Sequence, residues 1–171
     1  MVVYLFIVIS MPLGSLVIFD EELKQITEVI KRLYLDADAK VVFLIDKDGQ
    51  LITSSGEVKD IDTTSLATLT AGNIAATGGL AKLIGEKEFS ILFHEGEKDN
   101  IHISIVGQRL ILVVIFNDRS SLGLVRLRVR RTSKELNAIL KRLVTRASET
   151  PSSKENLLTE ITDDDIEKLF Q

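Results

Sequence analysis

The run RLILVVIF at residues 109–116 constrains the fold more than any other part of the chain. It is apolar and rich in β-branched residues, and it shows no alternation between apolar and polar positions. A strand with one solvated face alternates, whereas a strand covered on both faces is apolar throughout. We therefore expect a central strand in a sheet that carries helices on both faces.

The segments around this strand predict the remaining elements. Five segments have the composition of strands: 40–46, 50–55, 100–106, 109–116 and 123–130. Three have apolar residues at helical spacing: 20–33, 63–84 and 133–146. The expected order is α-β-β-α-β-β-β-α, which is a five-stranded antiparallel sheet between helices in an α/β sandwich.

The second helix has an unusual composition. Asp62 is its expected N-cap and Gly85 its expected C-terminal stop, and no charged residue occurs between Asp62 and Lys82. One side of this helix is expected to pack on the sheet: Leu66, Leu69, Ala76, Leu80, Leu83 and Ile84. The other side carries small residues where a solvated helix normally carries charges: Thr68, Ala71, Gly72, Ala75, Gly78, Gly79 and Lys82.

The small residues of the second helix need an explanation, because each interior glycine costs about 1 kcal/mol relative to alanine. Small, uncharged residues allow another polypeptide backbone to come close, so they favour a protein–protein interface. The alternative is a helix buried inside the protomer between the sheet and loops. A membrane helix is not expected, because ten of residues 63–81 are Gly, Ser, Thr or Asn.

The composition excludes several classes of function. The net charge of −4 does not provide the positive field that nucleic-acid binding needs. The absence of cysteine removes thiolate nucleophiles and Cys-based zinc sites, and it fits a cytoplasmic protein. No G-x-x-x-x-G-K-[ST] motif is present, so GTP binding is not expected, and no cofactor is implied.

Four collinear stretches resemble the Roadblock (dynein light-chain) domain family, and in particular its bacterial gliding-motility regulators. They are KVVFLIDKDGQLITSSG, IDTTSLATLTAGNIAATGGLAKLIGE, FHEGEKDNIHISIVGQR and LVVIFNDRSSLGLVRLRVR, and the similarity extends roughly over residues 17–146. The resemblance implies a Roadblock-type sandwich.

The resemblance also implies a function. It implies a homodimer whose second helices form a platform for one Ras-like small GTPase, and whose binding stimulates GTP hydrolysis in cell polarity or gliding motility. The chain would have no catalytic residues of its own, and recruitment to a cell pole would fit this role. Carried over to this sequence, the partner-binding residues are Ala71, Gly72, Ala75, Gly78, Gly79 and Lys82.

Two other classes of function stay open. The first is a Roadblock scaffold subunit that assembles a larger complex without altering GTP hydrolysis. The second is a small-molecule sensor on a similar sheet, for which no ligand-binding cluster is visible.

Polar residues elsewhere offer little chemistry. His94 and His102 are the only histidines and have no further ligand at a metal-binding spacing, so we expect no metal site. Arg119 is exposed enough to act on a partner's phosphate, but an ordinary loop arginine is the preferred interpretation. On the expected last strand, Arg126, Arg128 and Arg130 would share one solvated face.

The two ends of the chain are expected to flank a single domain at residues 17–147. Residues 1–16 form an N-terminal extension, whose apolar run is too short to span a bilayer; a secretion signal and a weak anchor are the alternatives. Residues 148–171 form a linker and an acidic C-terminal helix. The resemblance implies that Ile166, Leu169 and Phe170 contact the GTPase and favour nucleotide exchange; the alternatives are a tail on the arginine-rich segment of its own dimer, or disorder.

Overall fold

The computed structural model describes residues 7–9, 16–18 and 20–149, with side chains described from residue 20 to 145 and at Ile18. Its elements in chain order are β1 (Ile7–Ile9), β2 (Leu16–Ile18), α1 (Asp20–Asp36), β3 (Val41–Asp46), β4 (Leu51–Gly56), α2 (Thr63–Leu83), β5 (Ile91–His94), β6 (Asn100–Val106), β7 (Leu110–Phe116) and α3 (Leu122–Glu149). The expected tail helix, with Ile166, Leu169 and Phe170, lies outside the described residues.

The main sheet has five antiparallel strands in the order β4-β3-β7-β6-β5. Its central strand is β7, in which all seven residues are buried. Val113 of β7 pairs with Phe43 of β3 on one side and with Ile103 of β6 on the other. The apolar run from which the fold was predicted is therefore the centre of the sheet, as expected.

The two faces of the sheet carry different helices. Leu112 and Val114 of β7 belong to a core cluster shared with α1 and α3. Ile111 and Val113, which point to the opposite face, belong to a cluster shared with α2. Because successive strand residues point to opposite faces, one central strand contributes to both cores. The prediction of helices on both faces is confirmed.

The predicted strand at 123–130 is wrong. These residues form the start of α3, and Arg126, Arg128 and Arg130 therefore lie on a helix. The buried residues of this segment and its continuation follow helical spacing: Val125, Val129, Thr132 and Leu136. Leu127, which alternation would place beside Val125 and Val129, is 49% exposed. The alternating pattern was misleading because Val125 and Val129 are four residues apart. This distance fits both the two-residue period of a strand and the spacing of one helix face.

The fifth strand is β5, which was not predicted. It has only four residues and pairs with β6 through Leu92↔Ile103 and Phe93↔His102. Such a short segment shows too little periodicity to be recognised, and it depends on its neighbour for hydrogen bonds. The number of strands in the main sheet was thus correct, although one of them was placed in the wrong segment.

The predicted core side of α2 is also wrong. Leu69, Leu80 and Leu83 are 73%, 57% and 82% exposed, and Ala76 and Ile84 are exposed too, whereas Leu66 is half-buried. The buried residues of α2 are Ala67, Thr70, Ile74 and Ala81. The sheet supplies the large side chains of this core, among them Phe43 and Ile111, so the helix packs closely through small ones.

A two-stranded hairpin precedes α1. β1 and β2 pair antiparallel, with Ile7 opposite Ile18. Ile18 is buried in the core cluster under α1 and α3. Among the described residues, no helix is long and apolar enough to cross a membrane.

Candidate partner-binding surface

Local chemistry sets the ends of α2, the helix with the unusual composition. The Asp62 carboxylate accepts hydrogen bonds from the backbone N–H of Ser65 at 3.0 Å and from the Ser65 hydroxyl at 2.6 Å. These bonds, the side-chain bond foremost, lower the pKa of Asp62. At the other end, Gly85 adopts a φ of +80°, and Glu86 N–H donates to the Ala81 carbonyl. The predicted cap and stop are confirmed.

The glycines of α2 have no close packing neighbours among the described residues. A Cβ atom added to Gly72, Gly78 or Gly79 would meet no atom within 4 Å. Their space is therefore open in the described part of the chain, and nothing there requires a residue without a side chain. The described residues thus do not bury Gly72 and Gly79 between the sheet and loops, whereas Gly78 is half-buried.

The six residues predicted to bind a partner do not all have the same exposure. Gly72, Ala75, Gly79 and Lys82 are exposed and lie on the outward side of the helix. Ala71 and Gly78 are half-buried, and Ala71 packs against the core beneath α2. Ala71 therefore sits at the border between the core and the outward surface.

The outward surface of α2 has two flanks. Their residues are assigned from the rotation of 100° per residue around the axis of an α-helix. We name the first the small-residue flank: Thr68, Gly72, Ala75, Gly79 and Lys82. We name the second the leucine flank: Leu69, Ala76, Leu80 and Leu83. All nine residues are exposed, and Lys82 carries the only charge between Thr63 and Leu83. A helix with this much uncharged exposed surface is typical of an interface.

The two flanks face different parts of the molecule. The leucine flank faces β5 and β6, where Leu69, Asn73 and His94 line a groove of about 470 Å³. There, Asn73 Nδ2 lies 3.2 Å from His94 Nε2. The small-residue flank lies nearer the β3–β4 turn, because a Cβ atom on Gly49 would come within 3.0 Å of the Thr68 Cα atom. Gly49 also has a φ of +87°, so this close approach needs glycine.

The leucine flank continues towards an open strand edge. Within the described residues β5 pairs with β6 and is the last strand of the sheet on that side. Ile91 of β5 is 50% exposed. An unpaired edge beside exposed apolar side chains can accept another chain. Neither the exposed leucine flank nor the open edge of β5 was predicted from the sequence. The one signal in the sequence was the absence of charge on every side of the second helix.

Two of the arginines discussed in the sequence analysis, Arg119 and Arg128, make ordinary structural contacts. Arg119 donates from its backbone N–H and its Nε to the Asn117 side-chain oxygen, at 3.1 Å and 3.3 Å. Arg128 lies 3.7 Å from the Asp36 carboxylate, where α3 packs on α1. These contacts favour the interpretation of Arg119 as a loop residue.

The two histidines have different surroundings. His94 is exposed, whereas His102 is completely buried on β6, and neither of its ring nitrogens has a hydrogen-bond partner among the described residues. Burial, helped by the charge of Arg126, lowers the pKa of His102 to about 4. His102 is therefore neutral at physiological pH. Within the described residues, no group of His, Cys, Asp and Glu could hold a metal ion.

The sequence of the chain matches a known protein family. The model of the Roadblock/LC7 domain matches residues 25–116, which is more than half of the chain. The chain belongs to the Roadblock/LC7 family.

Solved Roadblock structures share the same architecture. MglB of Myxococcus xanthus is 61% identical, with 75% of this chain and 96% of that chain covered and a TM-score of 0.71. A gliding protein, MglB of Thermus thermophilus, is 32% identical, with 74% and 96% covered and a TM-score of 0.70. An MglB with a tetrameric arrangement is 30% identical, with 75% and 96% covered and a TM-score of 0.71. No curated protein matched the chain.

These similarities fit a Roadblock-type regulator in gliding motility. The Roadblock fold is a regulatory scaffold, and its interaction surfaces are the features to which a function can be assigned. In this chain the main candidate is the outward surface of α2.

Proposed function

We propose that this Roadblock protein is a homodimeric regulator of a Ras-like small GTPase of the MglA type. It binds the switch regions of the GTPase, stimulates GTP hydrolysis, and acts in the cytoplasm, at a cell pole, in gliding motility or polarity. The observation that carries the proposal is the exposed outward surface of α2, on which Lys82 carries the only charge. Among the described residues, no atom lies within 4 Å of a Cβ atom added to Gly72 or Gly79 on this surface.

The small-residue flank is the proposed docking site for the GTPase. Gly72 and Gly79 let a partner backbone approach the helix to within a side-chain radius, and Ala75 lies between them. A backbone held this close to a switch region restricts its conformations. The GTPase then places its own catalytic groups, because ordering these groups lowers the entropic part of the barrier. The regulator contributes no catalytic residue in this scheme.

The leucine flank and the β5 edge are the proposed homodimer contact. Leu69, Leu80 and Leu83 are mostly exposed in the protomer, and burying each one contributes roughly 1.5–3 kcal/mol. A second copy can add its strand to the free edge of β5 and cover these side chains. Dimer formation would then leave both small-residue flanks accessible.

The C-terminal tail is the proposed second contact with the GTPase. Ile166, Leu169 and Phe170 lie outside the described residues, and their role rests on the resemblance of the chain to the family. Contact through them would favour nucleotide exchange on the GTPase.

The test of the proposal is the GTP turnover of the cognate GTPase with each variant. Ala75→Arg should reduce turnover to that of the GTPase alone, because a guanidinium on the small-residue flank prevents close approach. Binding in size-exclusion chromatography should be lost as well. Circular dichroism should show an unchanged fold, since Ala75 is exposed.

Ala138→Arg is the matched control. Ala138 is an exposed alanine of α3, on the opposite side of the sheet, so this variant should stimulate turnover like the wild type. Full stimulation by Ala75→Arg would contradict the proposed docking site. A wild-type protein that binds the GTPase without changing turnover would be a scaffold instead.

A further inference from the structure

A second groove lies on the other side of the sheet, between the β6–β7 turn and the C-terminal half of α3. Its volume is about 530 Å³, and its lining includes Gly107, Arg109, Leu140, Lys141 and Val144. Leu140 forms an apolar floor, while Val144 is 51% exposed at the rim. The groove therefore offers apolar surface that nothing in the described chain covers.

The shape of this groove depends on one glycine. Gly107 has a φ of +63°, and a Cβ atom there would come within 3.0 Å of the Asn137 side-chain oxygen. A side chain at position 107 would crowd the Asn137 side chain and would require a positive φ, which residues with a Cβ atom rarely adopt. The turn and the helix thus form a well-defined wall on one side of the groove.

Positive charge borders the groove. Neither Arg109 nor Lys141 makes an ion pair with a carboxylate among the residues whose side chains are described. The groove between α1 and α3 also has basic residues, Lys24, Arg32 and Arg142, in its lining. It differs because Glu28 and Glu135 line it as well, and Glu135 already pairs with Arg32. A segment that has both acidic and apolar residues would therefore bind more favourably in the groove at the β6–β7 turn than in the groove between α1 and α3.

The chain itself contains a segment with this chemistry. Residues 148–171 contain seven acidic residues and two lysines, so their net charge is −5. Since the net charge of the whole chain is −4, residues 1–147 carry a net charge of +1. Three aspartates, 163–165, precede Ile166, Leu169 and Phe170. In a helix, residues spaced by three and four share one face, so these three side chains can enter one apolar groove.

The segment begins close to the groove. α3 ends at Glu149, about 8 Å along the helix axis from Val144. The thirteen residues 150–162 lie between α3 and the aspartates at 163–165 and can extend about 43 Å, which is enough for the chain to reverse and return along α3. A tether this short gives an effective concentration in the millimolar range, so even a weak contact would be occupied.

We infer that the groove formed by Gly107, Arg109, Leu140, Lys141 and Val144 binds the acidic tail of the same chain, with residues 163–170 as the bound segment. Ile166, Leu169 and Phe170 lie on the apolar floor, while the aspartates face Arg109 and Lys141. Insofar as the same three residues contact the GTPase, which rests on the proposed function, the docked tail is withheld from the partner. The regulator is then autoinhibited in its exchange role.

Crosslinking of the full chain tests this docking without any GTPase. The wild type has no cysteine, so a pair of introduced cysteines has no background. Val144→Cys with Phe170→Cys, treated with a short bis-maleimide, should crosslink within one chain. The matched control is Leu127→Cys with Phe170→Cys, because Leu127 is an equally exposed apolar residue about 25 Å away along α3.

The expected result is a crosslink at position 144 that forms at least about tenfold faster than at position 127. The rate at 144 should fall when salt rises from about 0.1 M to about 1 M, because the screening length shortens from about 10 Å to about 3 Å. Equal rates for the two pairs, or crosslinks that join two chains, would overturn the inference.

A charge swap adds specificity to the test. Lys141→Glu in the Val144→Cys, Phe170→Cys background should slow the crosslink, and adding Asp164→Lys should restore it. A rate that ignores both changes would also overturn the inference. A fast, salt-sensitive crosslink in a protein that does not affect GTP turnover would leave the docking intact and reject the proposed function.

Discussion

At the scale of single residues, His102 is the group whose surroundings are least ordinary. It lies on β6 beneath α3, pairs across the sheet with Val114 and Phe93, and is completely buried. An imidazole that gains no hydrogen bond is tolerated there only in its neutral form, because burial penalises the charged form most. The histidine therefore links the stability of the fold to pH.

The free energy of unfolding should decrease as pH falls from 6.5 towards 4. The pKa of His102 is about 4 in the folded chain and 6.5 in the unfolded chain, so the unfolded chain binds more protons in this window. The loss should reach about 3 kcal/mol near pH 4. Denaturant unfolding of the wild type and His102→Leu checks this, since the variant should lose this part of the pH slope.

His94→Gln is the control for the same measurement. His94 is exposed, and the variant should keep the pH slope of the wild type. All three proteins have the same carboxylates, so a difference in slope between His102→Leu and the wild type is assigned to His102. A slope unchanged by His102→Leu would show that the buried histidine does not act in this way.

At the scale of elements, α2 retains glycines that weaken it. Gly72 and Gly79 do not have positive φ angles and have open space around them in the described part of the chain, so neither backbone geometry nor packing there requires glycine. Glycine in a helix interior is destabilising by roughly 0.5–1 kcal/mol relative to alanine. The proposed function explains this cost through the close approach of a partner.

Gly72→Ala and Gly79→Ala should each raise the free energy of unfolding by roughly 0.5–1 kcal/mol, because the unfolded chain loses freedom and no contact is disturbed. Both should weaken GTPase binding, since the added methyl groups lie on the small-residue flank. Chemical denaturation and a binding titration measure the two effects.

Gly123→Ala provides the comparison. Gly123 lies in the first turn of α3 with nothing within 4 Å, away from α2, so stability should not fall and GTPase binding should stay as in the wild type. If Gly72→Ala and Gly79→Ala also bind with wild-type affinity, close approach at these glycines is not needed.

At the scale of the whole molecule, the sheet separates two layers that can change independently. α2 lies on one face with its two flanks, while α1 and α3 form the other layer, and the groove proposed to bind the tail lies between α3 and the β6–β7 turn. Substitutions on exposed positions of different layers share no contacts, so their effects should add. Oligomerisation, GTPase binding and tail docking can therefore be altered separately.

Leu83→Asp should weaken the homodimer without unfolding the protomer. Leu83 is 82% exposed, so the protomer loses little packing, whereas the dimer would bury a carboxylate in its apolar contact. Sedimentation equilibrium should show a shift to monomer. Leu35→Asp is the control, because Leu35 is 64% exposed on α1 and should leave the assembly unchanged. A dimer that survives Leu83→Asp would reject the leucine flank as its contact.

Much of the fold could be predicted because short-range chemistry specifies it. The apolar β-branched run at 109–116 is buried as β7, and the Asp62 cap and the Gly85 stop bound α2 as expected. In these cases the residues themselves carry the preference, through side-chain branching, capping oxygens and the freedom of glycine at positive φ. The small residues of the candidate surface could also be identified from the sequence, because their size and lack of charge are properties of the residues themselves.

The sequence by itself thus determined the central strand, the layered α/β architecture and the ends of α2. The tertiary structure alone decided that residues 123–130 are helical, that Ile91–His94 completes the sheet, and that Ala67 and Ala81 rather than Leu69 and Leu83 face the core. These outcomes depend on the space that the sheet leaves between its own large side chains. That space is a property of the packed layers, which no local pattern of residues contains.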